Sequence, residues 1–356
     1  MSIHSTLRAH EEACALQKVP EFRQQVLELF TDSLWSQFAT ARMDAFHAKQ
    51  EGRTFCHPKF PSLSWASYTN PYRMFDRGSQ YVINNIANSV MGWRGKMLSL
   101  YLYRQFNLPS TYELFCDAVL APTMDAKDAE SLDALIEDRE VLDLLSDSFI
   151  RYHKVCEADG TKLYSRAYLR NGGAAYTRYF EIMPEVLEEL FALDGEEGLT
   201  IQEVFCRIRK YEGFGDFLAY QLALDINYCL DTSMPVDFVV PGPGAIKGLE
   251  YACGPLLPAL KIATIKVLAE PTIQGIVLDD FKRVEGDWVG KDGQRVTSYR
   301  LLEENDVQNL FCEFSKMYRI DVLGDRPKRG YTPGLTPPMR LSIPFGSFAH
   351  DYGGSD

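Results

Sequence analysis

The feature that most constrains the fold is a Gly-Phe-Gly turn at 213–215, set between two stretches with the apolar spacing of helices. The stretches 201–211 and 216–228 both repeat apolar residues at intervals of three or four positions, which is typical of amphipathic helices. Glycine reaches positive φ at no steric cost, so a Gly-hydrophobic-Gly run can turn the chain within a few residues. The pattern predicts two helices joined by a tight hairpin, in which the small Ala219 lets the second helix pack closely.

A helix-hairpin-helix of this form suits an anion such as a DNA phosphate. The glycines let the backbone approach closely, and the N–H groups that begin the second helix carry the positive end of its dipole. Gly213 and Gly215 are therefore candidates for binding the DNA backbone. The alternative is an ordinary corner between packed helices, because Gly-x-Gly also occurs in many loops.

One acid follows the second helix, in the run Met-Pro-Val-Asp at 234–237. Asp237 stands between Val236 and Phe238, which predicts partial burial, and a partly buried carboxyl suits acid–base work. Asp237 is therefore the candidate catalytic residue. The alternative is an Asp that caps a turn, since Asp is common in turns before Gly and Pro.

A second glycine-rich turn, at 241–244, enters a further helix. Backbone N–H groups at such a place can hold a phosphate, which makes Gly242 and Gly244 further candidates for the DNA backbone and Lys247 a candidate for a diphosphate. The spacing lacks the Gly-Lys-Ser/Thr of a P-loop, so nothing indicates nucleotide hydrolysis. A rigid loop between two helices is the alternative.

A dense polar run at 68–81 is a candidate for substrate binding. Its spacing predicts a helix that begins at Pro71, with Arg73 and Arg77 four residues apart on one face and Asp76 beside them. Paired arginines suit a diphosphate or two DNA phosphates. The alternative is a surface helix held by Asp–Arg pairs.

The last candidate run is 306–316, where Glu313 and Lys316 stand three residues apart among apolar residues. A buried Glu on an apolar helix needs a partner. Both residues are candidates for shaping a substrate pocket. A purely structural pair is the alternative, and the spacing alone favours it.

Composition limits the partners of the chain. The 356 residues are 46% hydrophobic, enough for a large core, and no apolar run reaches the roughly 18 residues of a membrane span. The net charge of −12 would oppose DNA binding if it were spread evenly. Acids dominate 121–150, however, and cations dominate 151–180, so the chain can carry a basic face.

The eight cysteines are scattered singly, which indicates free thiols in a reducing compartment and predicts neither a metal site nor a cofactor. The polar N-terminus does not have the pattern of a signal peptide. We expect an intracellular protein, in the host cytoplasm if it is viral and in the nucleus if it is eukaryotic.

Periodicity predicts a mostly α protein with one small β-hairpin, at 287–302, where the sequence alternates around Lys-Asp-Gly. The chain divides into an N-terminal helical extension (1–58), a helical domain (59–322, with the hairpin helices at about 205–228) and a Pro/Gly-rich tail (323–356), expected to be extended or disordered. Helices are predicted over 22–38, 76–90, 97–106, 132–149, 184–193, 201–211, 216–228 and 305–318.

Taken together, four sequence blocks resemble one family. The blocks are Thr-Asn-x-x-Arg-x-x-Asp-Arg (69–77), Gly-Phe-Gly-x-Phe-Leu-Ala-Tyr-Gln (213–221), Asp-Phe-Val-Val-Pro-Gly-Pro-Gly-Ala-x-Lys-Gly-Leu (237–249) and Cys-Glu-Phe-x-Lys (312–316). The chain is similar, over about 60–320, to the α-glutamyl/putrescinyl thymine pyrophosphorylases, or amino acid:DNA transferases. These share the blocks with the helical domain of 5-hydroxymethyluracil DNA kinases. The hairpin and the acid also resemble those of helix-hairpin-helix DNA glycosylases.

The resemblance implies a glycosylase-like helical fold and a transferase reaction. In such systems a 5-hydroxymethyluracil in double-stranded DNA is activated as a diphosphate ester. The enzyme joins an amine, from an amino acid or a polyamine, to the methylene carbon and releases pyrophosphate. The base would leave the stack, Asp237 would stabilise the methylene cation or accept a proton, and Arg73, Arg77 and Lys247 would bind the diphosphate.

Three positions limit what the resemblance implies. Phe217 stands where bifunctional glycosylases carry a lysine, which opposes Schiff-base lyase chemistry. Ser315 and Met317 stand where the family has Asp and Tyr, so the choice of amine can differ. No kinase P-loop accompanies the blocks. The remaining alternatives are a monofunctional glycosylase for a modified pyrimidine and a non-catalytic DNA-binding module.

Overall fold

The structure, a computed structural model, is mostly helical. It describes residues 2–123, 129–165, 172–230, 234–278, 284–289, 295–299, 301–326 and 342. In chain order the helices and strands are α1 (Ile3–Gln17), α2 (Pro20–Phe30), α3 (Leu34–Gln50), α4 (Arg77–Val82), α5 (Trp93–Phe106), α6 (Pro109–Phe115), α7 (Ala121–Thr123), α8 (Ala129–Leu135), α9 (Arg139–Ala158), α10 (Gly172–Glu181), α11 (Met183–Phe191), α12 (Ile201–Arg209), α13 (Asp216–Asn227), α14 (Pro243–Cys253), α15 (Pro258–Ala269), α16 (Pro271–Val277), β1 (Val284–Val289), β2 (Arg295–Tyr299) and α17 (Glu304–Met317).

The chain forms two compact units. Unit 1 takes the described residues up to Arg77 and those from Val236 onward, and unit 2 takes those from Gly78 to Pro235. Unit 1 therefore joins the N-terminal helices to the C-terminal ones. The three segments predicted from the sequence, with boundaries at 58 and 322, are a different division and stay a prediction.

Unit 1 has an aromatic core where α3 packs on α17. Trp35 of α3 stacks on Phe311 of α17 with ring centroids 4.8 Å apart. Phe30, at the end of α2, meets both rings edge-on. Farther along the same two helices, Phe38 packs against Phe314 at 5.9 Å. Phe30 and Phe38 lie in the predicted helix 22–38, and Phe311 and Phe314 lie in the predicted helix 305–318.

Helix α14 approaches α17 through glycines. A Cβ on Gly248 would overlap the backbone carbonyl oxygen of Phe311, and a Cβ on Gly244 would overlap the Sγ atom of Cys312. At Gly248 backbone lies directly against backbone, so only glycine fits there without a shift of one helix.

Unit 2 is organised around α5, which is buried from Gly95 to Phe106. Its Arg104 forms a two-pronged ion pair with Asp225 of α13, in which Nη2 lies 2.6 Å from Oδ1. The Arg104 Nη1 atom donates to Asn107, so the guanidinium is satisfied on a third side. Because removing one partner of a buried pair leaves an uncompensated charge, this pair fixes α13 against the core of unit 2.

The Gly-Phe-Gly turn joins α12 to α13 within unit 2, at the place that the sequence predicts. Helix α12 begins with a reciprocal capping box between Thr200 and Glu203. Gly213 has a φ of +100°, a value that favours glycine. Gly215 is the N-cap of α13 and has no side chain to offer its first N–H groups.

Several predicted elements differ in detail from the observed ones. The predicted helix 22–38 is two helices, because the chain leaves helical geometry at Thr31 and Ser33 caps α3. The predicted helix 132–149 spans α8 and the start of α9, which Asp138 caps. Strands β1 and β2 pair antiparallel, with Val284 opposite Tyr299. The predicted turn between them (290–294) and most of the predicted tail (327–341 and 343–356) lie outside the described residues.

Within the described ranges, no single helix is long and apolar enough to cross a membrane. Helices α14 and α15 reach the required length and apolarity only together, as a pair bent by 83°. The two helices pack on α17 and α1, respectively.

We predict that Gly248→Ala destabilises unit 1. The new Cβ would meet a backbone oxygen that cannot move without displacing α17, so we expect the free energy of unfolding to fall by about 1–3 kcal/mol or more. Gly275→Ala in α16 is the matched control, because a Cβ there has open space and should leave stability unchanged or slightly raised. Urea denaturation measures both, and equal stabilities of the two variants would contradict the packing argument.

Candidate functional site

Helix α17 is buried along nearly its whole length, yet one of its faces is polar. Asp306, Asn309, Glu313 and Lys316 follow one another at intervals of three and four residues, so their side chains share that face. The first three are buried. Buried polar groups need hydrogen-bond partners, so this face requires a polar neighbour.

The loop at 67–76 supplies partners for the first half of the face. Asp306 accepts a hydrogen bond from the Arg73 backbone N–H at 2.6 Å. Asn309 donates to the Asn70 carbonyl at 2.9 Å and accepts from the Thr69 hydroxyl at 3.1 Å. Thr69 and Asn309 are 240 positions apart in sequence. The family-like block 69–77 is therefore held against the helix that carries the block 312–316.

The second half of the face ends at the same loop. Lys316 donates to Glu313 at 3.0 Å and to the carbonyl of Ser67. Its Nζ atom also lies 4.8 Å from the ring centroid of Tyr68. Glu313 thus has the lysine partner that the sequence spacing favours, and the pair serves as an anchor for the loop.

The predicted helix beginning at Pro71 is wrong. Arg73 begins a single 3-10 turn, Asp76 is extended, and Arg77 begins α4, so the two arginines do not share a helix face. The Asp76 carboxylate accepts the Asn70 N–H at 2.5 Å, and the Asn70 side chain donates to the Phe75 carbonyl. These local bonds close the loop on itself and compete successfully with helix formation.

The pKa of the Asp76 carboxyl lies far above its usual value. Burial raises the pKa of Asp76 to about 7, although Arg73, the Asn70 N–H and Arg42 favour its charged form. A carboxyl with this pKa can gain or lose a proton near neutrality, which is what acid–base chemistry needs.

A cavity of about 180 Å³ lies beside this loop, within unit 1. Arg42 of α3 lines it, is only 2% exposed, and donates through Nη2 to the Thr69 carbonyl. Lys49, Arg53, Thr69 and Asn70 also contribute to the wall. The cavity thus combines the family-like loop with a buried cation that the sequence analysis did not single out.

The expected partial burial of Asp237 is wrong, because the residue is exposed while the next three residues turn inward. Its side chain makes no hydrogen bond or ion pair to the polar face of α17 in the described part of the chain. Its backbone, in contrast, is fixed: the carbonyl accepts a hydrogen bond from Lys266 of α15 at 2.6 Å.

A buried charge cluster therefore lies behind Asp237. Lys266, 4% exposed, also donates to Glu304 at 2.7 Å. Burial raises the pKa of Glu304 to about 7, with Lys266 opposing the shift. His10 of α1 completes the cluster, and burial and Lys266 lower its pKa to about 4. The imidazole ring of His10 lies 4.5 Å from the ring of Phe238. Helices α1, α15 and α17 thus converge on the segment that presents Asp237.

The glycine-rich turn before α14 is dominated by packing. Gly242 is buried and caps α14, and Gly244 lies against Cys312. Lys247 is exposed, pairs with Glu250 at 3.3 Å and lies over the ring of Tyr251. Any anion at Lys247 would compete with this carboxylate partner.

The predicted site residues are thus brought together in part. Arg73, Asp76, Glu313 and Lys316 lie along one face of α17, and Arg77 follows directly on the exposed side of the loop. Gly213 and Gly215 belong to unit 2, as does Phe217, which is 38% exposed at the start of α13. Sequence reasoning missed Arg42, Asp306, Asn309 and Lys266. The polar spacing along α17 could have revealed Asp306 and Asn309.

We predict that Lys266→Met and Lys247→Met differ sharply in stability. Lys266→Met leaves Glu304 buried without its ion-pair partner and should cost about 3–5 kcal/mol of unfolding free energy. Lys247 belongs to an exposed pair, so its loss should cost less than about 1 kcal/mol. Chemical denaturation at neutral pH compares them. Similar costs would show that the cluster behind Asp237 is not a structural anchor.

We predict that Asp76 makes stability fall as pH rises from about 4 to about 7. An acid whose pKa is raised from 3.8 to about 7 by folding binds more protons in the folded chain across this window. Asp76→Asn keeps an acceptor for Asn70 but cannot ionise, so its stability should rise relative to wild type over the window and level off above it. Urea denaturation at several pH values measures this, and parallel curves would contradict it.

The comparison with known proteins gives one match. A family model described as "5-hmdU DNA kinase, helical domain" matches residues 28–323. No curated protein and no solved structure matches the chain. The matched range covers most of both units, including the Gly-Phe-Gly hairpin and the polar face of α17. The chain therefore belongs to the family of the 5-hmdU DNA kinase helical domain.

Proposed function

We propose that this protein is a transferase that modifies thymine-derived bases in DNA. It joins an amine to a 5-hydroxymethyluracil activated as a diphosphate ester and releases pyrophosphate. Family membership supports action on 5-hydroxymethyluracil in DNA. The observation that carries the proposal is the convergence of the blocks 69–77 and 312–316, some 240 positions apart, on one polar face beside a cavity.

The reaction makes defined demands on the protein. The bond from the methylene carbon to the diphosphate oxygen breaks, and its electron pair leaves with pyrophosphate. A bond from the methylene carbon to the amine nitrogen forms, and the resulting ammonium loses a proton. The protein has to hold negative charge at the leaving group and provide a carboxylate near the methylene carbon.

Residues of unit 1 are the candidates for these roles. Asp237 is an exposed carboxylate on a fixed backbone, suited to stabilising the electron-poor methylene or taking the proton. Arg73, Arg77 and Lys247 are the cations proposed for the diphosphate. Asp76, with its pKa of about 7, is a second group that can move a proton near neutrality.

DNA binding is assigned to backbone groups at two turns. Gly213 and Gly215 precede α13, and because its N-cap residue Gly215 has no side chain, the backbone can approach a phosphate there. Gly242 and Gly244 precede α14 in the same way, although Gly244 also packs against Cys312. The target base has to leave the stack for its methylene carbon to be reached. The partners are then double-stranded DNA and an amino acid or polyamine.

The test is an amine-transfer assay. The protein is incubated with DNA that carries the diphosphate-activated base, together with an amino acid mixture and putrescine. Mass spectrometry of the digested nucleosides should show an amine adduct, and pyrophosphate should appear in equal amount. Abasic sites without an adduct would identify a glycosylase instead. DNA binding without either product would identify a non-catalytic module.

Asp237→Asn sharpens this test. We expect turnover to fall by about a hundredfold or more while DNA affinity is retained, because a positioned acid–base group typically contributes at least that factor. Asp32→Asn is the matched control, since Asp32 is an exposed turn residue with a φ of 54°, which Asn also tolerates. Equal turnover of the two variants would remove Asp237 from the mechanism.

A further inference from the structure

The cavity beside the 67–76 loop is lined by a buried arginine, and the described residues do not satisfy all of its hydrogen-bond donors. The Nη1 atom of Arg42 is buried and has no hydrogen-bond partner there, although Nη2 of the same guanidinium is bonded to Thr69. A buried unmet donor on a charged group is costly, and such groups in native structures call for an explanation. A bound ligand that accepts a hydrogen bond from the Arg42 Nη1 atom would be such an explanation.

The charged residues that line the cavity favour an anion. They are Arg42, Lys49 and Arg53, all of them cations. Arg53 lies at the exposed side and pairs with Glu51, whereas Arg42 is the deeply buried charge. The planar guanidinium presents its donors in a fork that matches a carboxylate or a phosphate.

Size and wall chemistry favour a carboxylate on a small organic molecule over a diphosphate. The volume of about 180 Å³ is below the roughly 300–1,000 Å³ of pockets that hold drug-sized ligands. Apolar side chains contribute much of the wall, among them Phe46, Phe55 and Leu63. A multiply charged diphosphate would lose far more hydration against such walls than a single carboxylate.

The acids near Arg42 fit the other end of an amino acid. Glu313 and Asp76 lie close enough to act electrostatically on the Arg42 guanidinium, and Asp76 is bonded to Asn70 of the cavity wall. A molecule with a carboxylate at Arg42 and an ammonium toward these acids would match both signs of charge. A diamine has no carboxylate, so it would match the acids but not Arg42.

We propose that this cavity binds the carboxylate of a small amino acid and that Arg42 selects such donors over polyamines. The proposal rests on the proposed amine transfer, because it names the donor class for that reaction. Arg42 is then a specificity-determining residue, and the family-like loop forms one wall of the donor site.

Binding is tested without DNA, on the full chain, by ligand-observed NMR titration. The probes are glycine and glutamate, with putrescine and methylamine as amines that lack a carboxylate and pyrophosphate as the rival anion. Wild type should bind at least one amino acid and neither simple amine. Arg42→Gln should weaken that binding by about ten- to a hundredfold. Arg8→Gln, at an exposed arginine of α1, is the control and should bind like wild type.

A second variant protects the test from a failure of Arg42→Gln to fold. Ala45→Leu fills the cavity from α3 while keeping Arg42 in the sequence, and it should also abolish amino-acid binding. Wild-type affinity in both variants would overturn the proposal, as would equal binding of putrescine. Pyrophosphate binding that depends on Arg42 and excludes amino acids would assign the cavity to the leaving group and overturn it too.

Failure here and failure of the proposed function look different. If activated DNA accepts putrescine as readily as amino acids, and Arg42→Gln leaves that ratio unchanged, the donor site is wrong while the transferase stands. If amino acids bind through Arg42 but no adduct forms on activated DNA, the donor cavity stands and the transferase is wrong.

Discussion

The buried polar face of α17 is the constraint on which unit 1 depends. A helix that is buried on nearly all sides cannot leave Asp306, Asn309 and Glu313 unpartnered, since each unmet group would cost on the order of 1–3 kcal/mol. The loop at 67–76 meets this requirement with backbone N–H and carbonyl groups as well as with side chains. The loop conformation is therefore dictated from outside, by a helix more than 200 positions away in sequence.

This requirement decides where the cations near the loop are placed. The Asn70 side chain donates to the Phe75 carbonyl and Asp76 is extended, so the turn that begins at Arg73 does not continue as a helix. Arg73 is half-buried in the loop, and Arg77 is exposed at the start of α4. A second buried network, Lys266 with Glu304, fixes the Asp237 backbone. In both places buried polar or charged groups fix the backbone that carries a candidate site residue.

The sequence predicts what depends on local pattern and misses what depends on distant partners. Most helices follow from apolar periodicity, and the Glu313–Lys316 pair follows from spacing on α17. The predicted helix at Pro71 was wrong because the loop makes hydrogen bonds to Asp306 and Asn309 of α17, which the local sequence does not reveal. Asp237 was expected to be partly buried because its neighbours are apolar, yet Phe238 and Val239 are buried while the acid before them is exposed. Arg42 was missed because its hydrogen-bond acceptor, the Thr69 carbonyl, lies 27 positions away in sequence.

The glycines of the 237–249 block illustrate how a family motif can serve the site indirectly. They suggest a phosphate cradle, and the N-terminus of α14 retains that capacity. Gly244 and Gly248 nevertheless lie against α17: a Cβ on Gly248 would push the backbone of Phe311 away, and a Cβ on Gly244 would displace the Cys312 side chain. A shift of α17 would move Asp306 and Asn309 from the loop they hold, and the loop forms the wall of the cavity lined by Arg42. The motif therefore acts on the candidate site through the spacing of two helices, whether or not a phosphate binds to it.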